Sequence, residues 1–152
     1  VLQIVMGWED CHLHKFVIGK SYYSSPPAGL DDDEFYLIAE RGKDFTLGKV
    51  VPVEKTKFLY QYDLGDNWEH QILVERILPL EPGQHYPTCF SGKRACPPED
   101  VGGIWGYADF LDGINNPDHP AHVDWREQFE DGFDPEAFDL DAVNADLRKY
   151  IK

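Results

Sequence analysis

Histidines, carboxylates and cysteines are gathered into three short stretches of this chain, and their spacing limits the chemistry open to them. His12 and His14 are two apart, so on a strand both imidazoles point to one face, near enough to share a metal ion or an anion. Asp63, Asp66 and His70 surround the turn signal Leu64-Gly65-Asp66-Asn67, a carboxylate and imidazole pairing suited to a divalent cation or to acid/base work. Glu99 and Asp100 close a Cys96-Pro97-Pro98-Glu99-Asp100 stretch that runs into Gly102, Gly103 and Gly106. The candidate site is therefore His12, His14, Asp63, Asp66, His70, Glu99 and Asp100. A divalent metal there would take its nitrogen ligands from His12, His14 and His70. The site exists only if the strand, the hairpin tip and the proline-rich loop lie side by side.

Each group also has a local structural reading. Asp66 and Asn67 suit side-chain to backbone bonds that shape a turn, and Asp63 suits the end of a strand. Glu99 and Asp100 stand where carboxylates compensate a helix dipole. The glycines lack the Lys and the Ser or Thr of a phosphate-binding loop, which argues against nucleotide. Cys89 and Cys96 lack the tight spacing of a zinc ribbon, and a disulfide between them stays open because sequence does not give their Cα separation. Trp8, Trp68, Trp105 and Trp125 are expected in core or rim packing.

The elements that must position these residues are legible in outline. Val1 to Trp8 reads as the last turns of a helix, with Leu2, Ile4, Val5 and Met6 as its apolar residues and Gly7 where a helix end often needs a left-handed conformation. The chain opens on Val1 without a Met, so preceding residues that complete this helix and the sheet are expected. His12 to Tyr23 alternates as one strand, with His12, His14, Phe16 and Ile18 on one side and Leu13, Lys15 and Val17 on the other. An acidic loop at 31–34 and an apolar run at 35–39 follow. Lys57 to Asp63 and Trp68 to Leu78 read as a β-hairpin. The stretch from Pro79 to Gly103 contains five prolines and is expected to be a long ordered loop.

Three helices are predicted after the loop. The first carries the stripe Ile104, Tyr107, Ala108, Leu111 and Ile114; the second spans about residues 120–130; the third spans about 140–151, with Leu140, Val143, Leu147 and Tyr150 or Ile151 in line. Strands followed by helices give an α+β class, with an antiparallel or mixed sheet, a central hairpin, and C-terminal helices packed on the sheet.

Composition narrows the function. The 152 residues fit one domain, and an aromatic content of 14% supplies a core. The formal net charge is −14, from 28 Asp and Glu against 14 Lys and Arg. Such a field repels phosphate and argues against direct nucleic-acid binding. No apolar run approaches the roughly 20 residues that span a bilayer. Three cysteines and no leader-like start point to the cytoplasm.

Four motifs in order resemble the plasmid pRiA4b ORF-3-like family: Gly7-Trp8-Glu9-Asp10 with His12-Leu13-His14 and Phe16; Tyr60 to His70; Cys96 to Asp100 with Gly102, Gly103, Gly106 and Tyr107; and Phe133 to Glu136 with Phe138 and Asp139. The resemblance implies a link to plasmids and mobile elements, where related chains are described as passenger proteins of the TnpR kind. A serine resolvase would need an activated Ser among arginines, and Ser21, Ser24, Ser25 and Ser91 stand in no such setting. The expectation is an accessory or interaction domain with a protein partner. The alternative is a divalent-metal, hydrolase-like site built from the seven residues above.

Overall fold

The structure, a computed structural model, describes residues 1–24, 40–41, 46–130 and 132–151. Backbone packing divides the chain into a sheet unit, His12–Leu80, and a helical unit made of Val1–Cys11 and Glu81–Lys152. In chain order the elements are α1 (Leu2–Met6), β1 (His14–Ile18), β2 (Ser21–Ser24), β3 (Glu40–Arg41), α2 (Leu47–Val50), β4 (Lys57–Tyr62), β5 (Trp68–Leu73), α3 (Gly103–Asn115), α4 (His122–Gln128) and α5 (Leu140–Tyr150). The α+β class is borne out, with a sheet of order β3-β2-β1-β4-β5. Its strands are antiparallel except where β3 runs parallel to β2. The acidic loop 31–34 and the apolar run 35–39 fall outside the described residues.

In the sheet unit the expected strand from His12 to Tyr23 is instead a tight hairpin. Gly19 takes a φ of 62°, and Ile18 faces Ser21 across the turn, a reversal that a left-handed glycine permits. The second hairpin forms with the expected turn, yet β5 stops at Leu73, short of Leu78. Lys55 adopts φ 64° and ends the partner strand, so the ladder closes with the bonds between Val74 and the Lys55–Thr56 pair. Beyond it, the Ile77 N–H donates to the Glu54 carboxylate at 2.8 Å. Along β4, Phe58, Tyr60 and Tyr62 are buried while Lys57, Leu59 and Gln61 are more accessible, the period of a strand with one packed face. Phe16 from β1 lies 5.0 Å from the Tyr60 ring, a pair worth about 0.5–1.5 kcal/mol beyond its area burial.

In the helical unit α1 ends as read. Gly7 has φ 80°, and the N–H groups of Gly7 and Trp8 return to the carbonyls of Ile4 and Gln3. The long loop carries no regular element, but it is tied down: the Cys89 N–H donates to Asn144 Oδ1 at 2.8 Å, and Asn144 Nδ2 donates back to the Cys89 carbonyl at 2.9 Å. Cys89 and Cys96 are thiols, not a disulfide. Asp139 caps α5 by accepting from the Ala142 N–H at 2.9 Å, and Leu147 is the buried residue of that helix.

The expected stripe of α3 needs correction. Phe110 and Ile114 are buried, but Ile104 is 65% exposed and Ala108 faces water as well. Glycines occupy much of the packed side. A Cβ on Gly106 would stand 1.9 Å from the Val101 carbonyl oxygen, and one on Gly113 would stand 2.8 Å from Trp125 and 2.9 Å from His119. The helix therefore docks through positions without side chains, and Phe110 enters a ring cluster with Trp125, Phe129 and Phe133 at 5.2, 5.0 and 5.1 Å. His119 Nε2 meets Asp109 at 3.3 Å while its Nδ1 accepts the Ala121 N–H, and His122 Nδ1 donates to the Gly113 carbonyl at 2.7 Å. These bonds hold the turn between α3 and α4.

Candidate functional site

The seven candidate residues divide between the two units. His12, His14, Asp63, Asp66 and His70 belong to the sheet unit, and Glu99 and Asp100 to the helical unit.

Within the sheet unit, the i, i+2 spacing and the strand register decide what each histidine meets. His14 pairs with Tyr62 across β1 and β4, and His70 pairs with Tyr60 across β4 and β5. The His14 and His70 rings lie 5.8 and 5.7 Å from the Tyr60 ring, so Tyr60 and the whole of β4 stand between them. Two strand spacings, about 10 Å, separate their backbones. His70 Nδ1 donates to the Tyr60 carbonyl at 3.3 Å. Burial holds its imidazole below the ordinary value, opposed by hydrogen bonds to the backbone of Tyr60 and Trp68. This histidine is fitted to be neutral and to pack.

His12 has other company. Its Nε2 lies 3.9 Å from Asp63 Oδ2, and its ring meets Tyr62 edge-on at 5.8 Å. Asp63 is buried and holds φ 50°, a conformation that costs a non-glycine residue free energy. Its surroundings over-determine it. The backbone N–H donates to the Leu13 carbonyl at 2.9 Å, the carbonyl accepts from Asn67, and Oδ1 accepts the Gly65 N–H at 2.9 Å. The second oxygen is thereby aimed at His12. Asp66 sits half-buried in the same turn, beside Asn67 at φ 55°.

Within the helical unit, the reversal at Gly7 delivers Trp8 and Glu9 to the proline-rich motif. Trp8 Nε1 donates to the Pro97 carbonyl at 3.0 Å, and the Glu9 N–H donates to Glu99 Oε1 at 3.0 Å. Glu99 thus binds a backbone amide in the turn after α1, and the N-cap position of α3 is Gly102, which has no side chain with which to cap it. Asp100 adopts φ 55°. Burial, with Glu99 adding to it, pushes the Cys96 thiol up to about 12, so Cys96 stays protonated at neutral pH. Burial and nearby Cys96 and Glu136 raise the Tyr107 phenol, against Arg94. Cys11 was not among the residues singled out, although its Sγ lies within 4.8 Å of a Glu99 oxygen. Its place immediately before His12 was the signal available.

A family model described as "Plasmid pRiA4b ORF-3-like protein" matches residues 1–142. The chain belongs to that family. This pRiA4b ORF-3-like chain is 37% identical over 130 residues to "Uncharacterized protein y4hQ" of Sinorhizobium fredii, an alignment covering 84% of this chain and 63% of that protein. It thus spans less than two thirds of the relative's length. The crystal structure of a protein of unknown function, MM3350 from Methanosarcina mazei Go1, superposes with a TM-score of 0.67 at 35% identity, covering 92% of this chain and 77% of that one. Among the described residues of the pRiA4b ORF-3-like chain, no helix is long and apolar enough to cross a membrane.

Proposed function

We propose that this chain is a non-catalytic accessory domain of the cytoplasm, carried in association with plasmids or other mobile elements, that works by binding another protein. One observation carries the reading: on α3 the adjacent residues Ile104 and Trp105 are 65% and 82% exposed, and large apolar side chains grouped in water mark interaction surfaces. The packing of His14 and His70 against Tyr60 and the backbone bond of Glu99 support it by giving the polar motifs structural work. The word plasmid in the family's description supports the genetic setting. The test is a photo-crosslinking amino acid placed at position 105 in living cells, with position 64 of the hairpin turn as control. A discrete crosslinked protein at 105 and none at 64 is expected; equal, diffuse labelling at both removes the reading.

A second reading rests on the buried Asp63 oxygen aimed at His12. His12 and Asp63 would hold a divalent cation by one nitrogen and one oxygen, the donor set that suits zinc or another borderline ion, and the bound ion would supply Lewis-acid chemistry for hydrolysis of a phosphate or amide bond. Elemental analysis of protein purified without chelator or affinity tag decides it. Less than about a tenth of an equivalent of Zn, Mn, Ni or Fe counts against it.

A further inference from the structure

From the face that α3 leaves in water we infer the chemistry of the partner: a positively charged protein segment with an apolar anchor, docking on Ile104 and Trp105 and flanked by Asp109 and Asp112. The inference rests on the protein-binding reading above and goes further by naming what is bound.

At about 100° per residue, Ile104, Trp105, Ala108, Asp109, Asp112 and Asn115 fall within one arc of about 140°, and all six are exposed. The complementary arc holds Gly103, Phe110, Gly113 and Ile114, which are buried. The outward face is therefore apolar in its first turn and acidic in the turns that follow. A Trp with 82% of its surface in water is out of keeping with a residue that supplies core area wherever it can, and Trp is prominent among residues that dominate binding energies.

Charge selects the occupant. The helical unit has 17 Asp and Glu against 6 Lys and Arg, a net of −11 out of the chain's −14. From Glu99 to Asp141 there are 13 carboxylates and a single cationic side chain, Arg126. A nucleic acid or an anionic membrane would be repelled. A segment of lysines and arginines around one or two large apolar residues would be attracted at long range and held at short range by the Ile104 and Trp105 side chains.

Labelled short peptides test this by fluorescence anisotropy: one with lysines and a leucine stripe, one with glutamates on the same stripe, and one with lysines and serines only. The lysine and leucine peptide is expected to bind, more weakly as salt rises. Trp105→Ser with Ile104→Ser should lower its affinity by about tenfold or more at unchanged protein charge. Leu64→Ser, in the hairpin turn, should leave it alone. Equal binding of the glutamate peptide, or full retention of binding in the double variant, would overturn the inference, the second result reducing it to general charge attraction. The crosslink at position 105 separates the two readings. A second copy of the chain, or a partner without basic segments, sinks this inference and keeps protein binding. Peptide binding without any crosslink keeps the surface and sinks the cellular role.

Discussion

Two faces of the molecule use their side chains in opposite ways. On the sheet face around β4, residues that look reactive in sequence are absorbed into packing: His14 and His70 flank the Tyr60 ring, and one Asp63 oxygen closes the hairpin turn. On the outward face of α3, residues that look like core are left in water, with Trp105 at 82% exposure. Residue type alone therefore does not assign a role here. What decides is whether the backbone brings a neighbour within reach.

The strongest way to break this contrast is to truncate one aromatic from each side of α3. Phe110→Ala removes a fully buried ring from the cluster with Trp125, Phe129 and Phe133 and should cost about 3–5 kcal/mol in urea denaturation. Trp105→Ala should change stability by no more than about 0.5 kcal/mol. A comparable loss in both would show that Trp105 is a structural residue after all.

A smaller effect is expected at the start of α5. Asp139 accepts the Ala142 N–H, so Asp139→Ala should lower stability by about 1 kcal/mol. Asp139→Asn, which keeps an acceptor, should recover most of it. Equal losses in both variants would assign the effect to charge instead of capping.

The smallest effect concerns the sheet face and its pH dependence. His70 titrates below 6.5 when folded, chiefly through burial. As pH falls, the unfolded chain takes up its proton first, so the stability that His70 contributes is complete above about pH 6.5 and declines below it. The urea midpoint of the wild type should therefore drop between about pH 7 and pH 5 more steeply than that of His70→Gln. Parallel pH profiles would mean that the ring is hydrated in the fold and does not belong to the packed face.

Much of the scaffold was legible before the structure, and for a physical reason. The hairpin of β4 and β5 declares itself by alternating aromatics and turn residues, and α5 by its apolar spacing. The site was legible only in part. The spacing of His12 and His14 predicted one shared strand face, but β1 begins only at His14, and nothing local could say that Tyr60 would stand between His14 and His70, because that follows from the register of three strands. The α3 stripe was misread because its packed side is lined by Gly103, Gly106 and Gly113. Glycine carries no hydrophobic signal, so the periodicity pointed to the wrong arc. The reversal of His12–Tyr23 at Gly19 was missed because a lone glycine inside a strand pattern also fits a bulge.

The exposure of Trp105 also has an optical side. Trp8 and Trp68 are enclosed, at 7% and 8% of their surface, so the indole on α3 is set apart from them by its contact with water. The chain carries an intrinsic reporter at the very place where a partner is expected to arrive, and light emitted from it can register that arrival without any label.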